Sequence, residues 1–150
     1  MDRTERNLIQ IQNIDHLVIR TANLEALIAF YRDVLGCEVE RKLDPEVGLI
    51  QMRAGNALID LVDANSKLGR AGGEAPGESG NNMDHFCVQI AAVSQQELLD
   101  SLHHHGVETG QFERRYGATG FGPSLYISDP DGNTVELRVE GTADGRRGEN

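Results

Sequence analysis

The chain carries one pattern twice. Asn13-Ile14-Asp15-His16-Leu17-Val18-Ile19 returns as Asn82-Met83-Asp84-His85-Phe86-Cys87-Val88. Each copy runs into a helical stretch stopped by a glycine, Gly36 or Gly106. Each ends on a strand with an acid among aliphatics, Leu58-Ile59-Asp60-Leu61-Val62 and Thr134-Val135-Glu136-Leu137-Arg138. Such self-similarity restricts the fold to two copies of one supersecondary unit. It also duplicates a histidine and a carboxylate, and two such pairs suffice to hold a metal ion. Asp60 lies 11 positions after Leu49 and Glu136 lies 11 after Leu125, a match that favours duplication of the closing hairpin.

Local signals make the unit βαβββ. In the first module a strand from Ile14 to Arg20 precedes Asn23, a suitable N-cap, and Leu24, Leu27, Ile28, Tyr31, Val34 and Leu35 recur at helical spacing. Strands then read Cys37 to Lys42, Leu49 to Arg53 and Leu58 to Asp63, the last two joined by the tight turn Ala54-Gly55-Asn56-Ala57. The second module opens at Met83 to Ile90. Its helix begins with the capping box Ser94-Gln95-Gln96-Glu97 and carries the apolar stripe Leu98, Leu99, Leu102. Val107 to Thr109, Ser124 to Ser128 and Thr134 to Glu140 complete it. The organisation expected is an N-terminal extension (1–11), module one (12–64), a flexible glycine-rich linker (65–81), module two (82–140) and a disordered tail (141–150).

Acids outnumber bases 24 to 14, a net charge of -10, which suits neither nucleic acid nor an anionic membrane surface. No apolar run is long enough to span a bilayer, and the first residues lead into no signal-peptide core. A cytoplasmic protein with reduced thiols is expected. Cys37 and Cys87 form no CxxC pair and read as buried small hydrophobes.

Strand parity sorts the side chains. Leu17 and Ile19 share one face of the first strand, opposed by His16, Val18 and Arg20. Phe86, Val88 and Ile90 oppose His85, Cys87 and Gln89. In the closing strands Ile59 and Leu61 oppose Asp60, and Val135 and Leu137 oppose Glu136 and Arg138. His16, Asp60, His85 and Glu136 therefore belong to the faces away from the helices. A carboxylate in mid-strand is costly to bury unless a cation or donor meets it. The plainer alternative is two acids facing bulk water. His103-His104-His105 sits in the last turn before Gly106, where histidines meet the helix dipole, so it reads as a cap rather than a metal cluster.

These residues resemble the vicinal oxygen chelate superfamily, the glyoxalase I, bleomycin-resistance and extradiol-dioxygenase fold. The resemblance covers about residues 12 to 140. It rests on Ile14-Asp15-His16-Leu17-Val18, Phe30-Tyr31-Arg32-Asp33-Val34-Leu35-Gly36 and Asp129-Pro130-Asp131-Gly132-Asn133-Thr134-Val135-Glu136-Leu137. It implies an α+β fold in which paired βαβββ modules form a half-open barrel around a divalent ion (Zn, Ni, Mn or Fe), commonly in a homodimer. The ligands implied are His16, His85 and Glu136, with Asp60 as fourth ligand or water-mediated neighbour; glyoxalase I has glutamate there, one methylene longer. The activity implied is a glyoxalase I-like lyase or isomerase, with Glu136 or Asp60 as base and a metal-stabilised enediolate from a small oxygen-chelating substrate. The alternatives are a small non-haem-iron extradiol dioxygenase, since two histidines and one carboxylate also describe the facial triad, a fosfomycin-type thiol transferase, and a metal-free binding protein of the resistance kind. Arg114, Arg115 and Tyr116, in the glycine-rich segment the family uses as a lid, and Arg20 and Arg138 are the expected substrate grips.

Overall fold

The alternation of aliphatic and polar residues becomes two four-stranded mixed sheets. The computed structural model describes residues 10–77 and 83–140. The expected tail (141–150) and nearly all of the expected N-terminal extension (1–11) lie outside the described residues. The first sheet holds β1 (His16–Thr21), β2 (Glu38–Lys42), β3 (Leu49–Ala54) and β4 (Ala57–Asp63) in the order β1-β4-β3-β2. The second holds β5 (His85–Ile90), β6 (Glu113–Gly117), β7 (Gly120–Ser128) and β8 (Thr134–Val139) in the order β5-β8-β7-β6. In each, the opening strand runs parallel to the closing strand and every other pairing is antiparallel. The two sheets repeat one topology, as the sequence repeat requires.

Helix α1 (Leu24–Ala29) continues into a π-helical turn over Phe30–Val34, and α3 (Gln95–His104) is its counterpart. Both stop at a glycine in the left-handed region, Gly36 at φ 73° and Gly106 at φ 72°. The next amide then returns to the last helical turn, Cys37 N–H to Tyr31 O and Val107 N–H to Leu102 O. At the start of α3 the capping box forms: Ser94 Oγ accepts from Glu97 N–H, and the Glu97 carboxylate accepts from Ser94 N–H.

One core joins the modules. Leu27, Tyr31, Met52 and Leu61 from the first and Leu102, Leu125, Val135 and Leu137 from the second are fully buried together. Across the seam the Tyr31 hydroxyl donates to Asp129 Oδ2 at 2.9 Å, while Thr21 Oγ1 and Asn23 Nδ2 donate to Asp131. Asp129 also accepts from Asp131 N–H, Asn133 N–H and Asn133 Nδ2. The Asp129-to-Asn133 turn is thus both a hairpin loop and the latch between modules.

Several details depart from the sequence reading. Within 65–81 the chain forms a short helix α2 (Lys67–Ala71), capped by Ser66 Oγ accepting from Gly69 N–H. Val107 to Thr109 does not pair as a strand; pairing starts at Glu113. The strand expected from Ser124 begins at Gly120, so the glycine-rich stretch is sheet. Its glycines make room: a Cβ at Gly117 or Gly122 would stand 3.0 or 2.9 Å from a guanidinium nitrogen of Arg138. Cys37 is buried as expected, but Cys87 is exposed, because parity puts it on the face opposite the core. Finally, Gln51 faces Asp60 and Tyr126 faces Glu136 across their hairpins. The equal spacing of Leu49 and Leu125 from the two acids therefore joins non-equivalent positions, since a two-residue turn connects β3 and β4 and a five-residue loop connects β7 and β8. Among the described residues no helix is long and apolar enough to cross a membrane.

Candidate metal centre

Each sheet brings one histidine and one acid onto the face away from the core. On the first, β1 and β4 lie side by side with Val18 opposite Asp60, so His16 sits one same-face step from the acid. On the second, Cys87 lies opposite Glu136 and His85 occupies the matching step. His85 Nε2 is 3.6 Å from Glu136 Oε1. The acids do not face bulk water: Asp60 is 4% exposed and Glu136 6%.

The histidines are held alike. Asp15 Oδ1 meets His16 Nδ1 at 2.7 Å, and Asp84 Oδ2 meets His85 Nδ1 at 2.7 Å. A carboxylate on Nδ1 fixes the tautomer with its proton there, which leaves Nε2 as the lone-pair donor, the arrangement of a metal-ligating imidazole. The Asp15 contact raises the His16 pKa above its ordinary 6.5, against the opposing effect of burial and with smaller help from the charges of Asp60 and Asp15. Asp15 and Asp84 were not among the residues picked out as functional. The signal is present in the sequence, because Asp and His are, with the leading Asn, the positions of the repeat kept letter for letter.

The acids differ in their partners. Asp60 Oδ2 accepts from Gln51 Nε2 at 3.1 Å, and Asp60 Oδ1 is buried with no hydrogen-bond partner. Glu136 Oε2 lies 3.2 Å from the Cys87 thiol. Although the residue as a whole is exposed, its thiol is partly buried against Glu136, and this burial first, then the contact, push it up to about 12. Tyr126, opposite Glu136 in the hairpin, is raised likewise, by burial and then by the neighbouring Glu136 carboxylate. The Cys87 thiol stays protonated at neutral pH and remains a donor to the carboxylate.

Two imidazole nitrogens and two carboxylates suit a borderline divalent ion. The bare Asp60 Oδ1 fits the same role, since a buried carboxylate oxygen without a donor needs a cation. Among the described residues, however, no three His, Cys, Asp or Glu side chains converge as a metal site. One chain displays two half-sites, one per sheet.

The expected substrate grips are redistributed. Arg114 and Tyr116 point to the side of β6 opposite Glu136, where Arg114 stacks on Phe121 at 4.1 Å. Arg115 shares the Glu136 face but is tied to Ser124 and Glu113. Arg138, 5% exposed, donates to the carbonyls of Arg115 and Gly120, and Arg20 donates to those of Gly69 and Gly73. Arg20 and Arg138 are thus spent on backbone. The histidine run ends α3 as expected, with His105 Nδ1 2.8 Å from the Ser101 carbonyl.

A family model described as the Glyoxalase/Bleomycin resistance protein/Dioxygenase superfamily matches residues 13–137. A virulence protein of Salmonella typhimurium is 30% identical over 130 residues, covering 85% of this chain and 83% of that protein. Lactoylglutathione lyase of Arabidopsis thaliana is 28% identical over 132 residues, covering 84% of this chain and 44% of that protein, so the chain spans less than half its length. An integron cassette protein from the mobile metagenome of V. cholerae superposes with a TM-score of 0.69 at 23% identity, covering 90% of this chain and 100% of that one. Similarity also extends to a catechol-2,3-dioxygenase of Bacillus subtilis (25% identity, 85% of this chain, 41% of that protein) and to human methylmalonyl-CoA epimerase (21% identity, 93% of this chain, 80% of that protein).

Proposed function

The chain belongs to the Glyoxalase/Bleomycin resistance protein/Dioxygenase superfamily, and within it we propose a divalent-metal-dependent lyase or isomerase of the glyoxalase I kind that works as a homodimer. The His16–Asp60 pair of one copy then faces the His85–Glu136 pair of a second, completing a ligand set that a single chain displays in halves. The observation that carries this reading is the matched pair of histidines with Nδ1 held by aspartate, each beside a buried acid, one of which keeps a bare oxygen.

The ion would be held by His16, His85 and Glu136, with Asp60 as fourth ligand or close neighbour. When bound it supplies Lewis-acid stabilisation of negative charge on two neighbouring substrate oxygens. The remaining work falls to the chain. Cys87, Tyr126 and His85 surround the Glu136 carboxylate and orient it. Gln51 holds only Oδ2 of Asp60, which leaves Oδ1 to meet the ion, and Glu136 or Asp60 would take a carbon-bound proton and return it to the adjacent carbon. The faces are open enough to admit a small molecule, with the His16 and His85 side chains 48% and 34% exposed. A second carboxylate suits proton shuttling, whereas oxygen activation at a facial triad needs only one.

Elemental analysis of protein purified without added metal tests the site. One divalent ion per chain is expected, lost in His85→Ala because an incomplete shell binds weakly. Light scattering is expected to return twice the 16.4 kDa chain mass. Turnover of 2-oxoaldehyde–thiol adducts identifies the lyase. Oxygen uptake with a catechol, and no turnover of any adduct, reverses the assignment to a dioxygenase.

A further inference from the structure

The bulge in β2 moves a charge. Val39 faces Met52 and Arg41 faces Gln51, so Glu40 is the extra residue. With regular pairing Glu40 would stand opposite Gln51, and an anion would border the Asp60 pair. The inserted residue slides Arg41 into that place, and bulges beside active sites commonly re-aim a side chain in this way. Glu40 is instead held by the Arg53 guanidinium through contacts of 2.8 to 3.0 Å.

Arg41 is then linked to the candidate centre through one side chain. Its Nη1 donates to Gln51 Oε1 at 3.3 Å, and Gln51 Nε2 donates to Asp60 Oδ2 at 3.1 Å. The order is chemically forced: a guanidinium only donates, so it meets the amide oxygen and turns the amide NH2 toward the carboxylate. The other arginines on the two faces are occupied. Arg53 is paired with Glu40, Arg115 with Glu113 and Ser124, and Arg20 and Arg138 donate to backbone carbonyls. Among the described residues Arg41 makes no ion pair and one long hydrogen bond, and it stands exposed on the edge strand of the first sheet. Most of its fork is unengaged at the rim of the face that carries His16 and Asp60. A guanidinium fork matches the oxygens of a carboxylate or phosphoryl group, and on a chain of net charge -10 a cation at that rim is a local attractor for anions.

We propose that Arg41 is the anion-recognition residue of this site, so that the substrate carries a carboxylate or phosphoryl-type group in addition to its two chelating oxygens. This rests on the metal-dependent reading above and narrows its substrate class. Gln51 is the positioning residue between the anion grip and Asp60.

Three chelators with one head group form the test. Acetohydroxamate, malonomonohydroxamate and phosphonoacetohydroxamate all offer two neighbouring oxygens, and the last two add a carboxylate or a phosphonate. They are titrated calorimetrically into metal-loaded wild type, Arg41→Ala and Arg41→Lys. Acetohydroxamate is expected to bind all three proteins alike. At least one charged probe is expected to weaken about tenfold or more in Arg41→Ala, the cost of a lost charge-assisted contact, and to recover in part in Arg41→Lys. The probe that loses more identifies the group. Equal affinities of each charged probe for wild type and Arg41→Ala, or an equal loss with acetohydroxamate, overturn the proposal. A metal-free measurement separates the two readings: phosphonoacetate is titrated into 15N-labelled protein while the Arg41 Nε–H and Gln51 side-chain amide signals are followed. Saturable shifts absent from Arg41→Ala support the grip even if no hydroxamate binds, an outcome that would count against the metal centre alone. Unmoved signals refute the grip.

Discussion

Replacing Tyr31 by phenylalanine removes a single oxygen from the seam between the modules. The ring is fully buried, edge-on to Phe30 and stacked on Phe86, and phenylalanine keeps those contacts. What is lost is the bond from the hydroxyl to Asp129 Oδ2. Hydrogen bonds to charged groups contribute about 1.5–3 kcal/mol. Asp129 Oδ2 keeps its 2.7 Å bond from Asn133 Nδ2, so the loss falls at the low end, about 1.5 kcal/mol. For a domain of this size that lowers Tm by about 3–6 °C. The bond also has a pH signature. Burial first, and then the Asp129 charge, hold the Tyr31 phenol above its ordinary 10.0. Above that pH the unfolded chain releases this proton and the folded chain keeps it, so the stabilisation is complete below pH 10 and declines as pH rises past it. Thermal melts of wild type and Tyr31→Phe across neutral to alkaline pH are expected to show a gap at neutrality that closes above pH 10. A Tm difference under about 1 °C at neutral pH, or a gap that persists unchanged into strong alkali, would refute the latch.

Asp84→Asn keeps the shape at His85 but weakens the partner that sets its tautomer, and competition against a chelator should show metal affinity falling about 10–100-fold. A change below twofold would leave Asp84 a bystander. Gly69→Ala drives a Cβ to 1.9 Å from the Asp63 carbonyl and 2.5 Å from Ala64 Cα, so α2 cannot dock as built. Lower stability in urea is expected, with increased amide exchange over Lys67–Ala71 rather than over the sheets. Ser94→Ala removes the acceptor for Glu97 N–H and is expected to cost about 1 kcal/mol, measured by the same denaturation.

The repeat, the alternation of faces and the helix stops at Gly36 and Gly106 are local features, written in periods of two and 3.6 residues, and they carry the fold class, the repeated topology and the shared face of each histidine and acid, while the burial of Asp60 and Glu136 is a tertiary result. The same local record held the Asp-His dipeptides, whose meaning depends only on adjacent residues. Where long side chains end was not local. Arg20 and Arg138 looked like cavity cations by parity, yet α2 brings the Gly69 and Gly73 carbonyls to one and the β6–β7 turn brings Gly120 to the other. Gly117 and Gly122 read as loop glycines in the sequence, whereas in the fold the Arg138 guanidinium lies against both. Arg41 carries no sequence signal because a bulge is a property of two strands together, and no sequence period marks the residue that goes unpaired. The separation of the four candidate ligands into two half-sites is likewise a tertiary result. Strand parity tells which face a side chain takes, while the distance between two faces is set by how the sheets pack around Leu27, Tyr31 and Leu102 in the shared core.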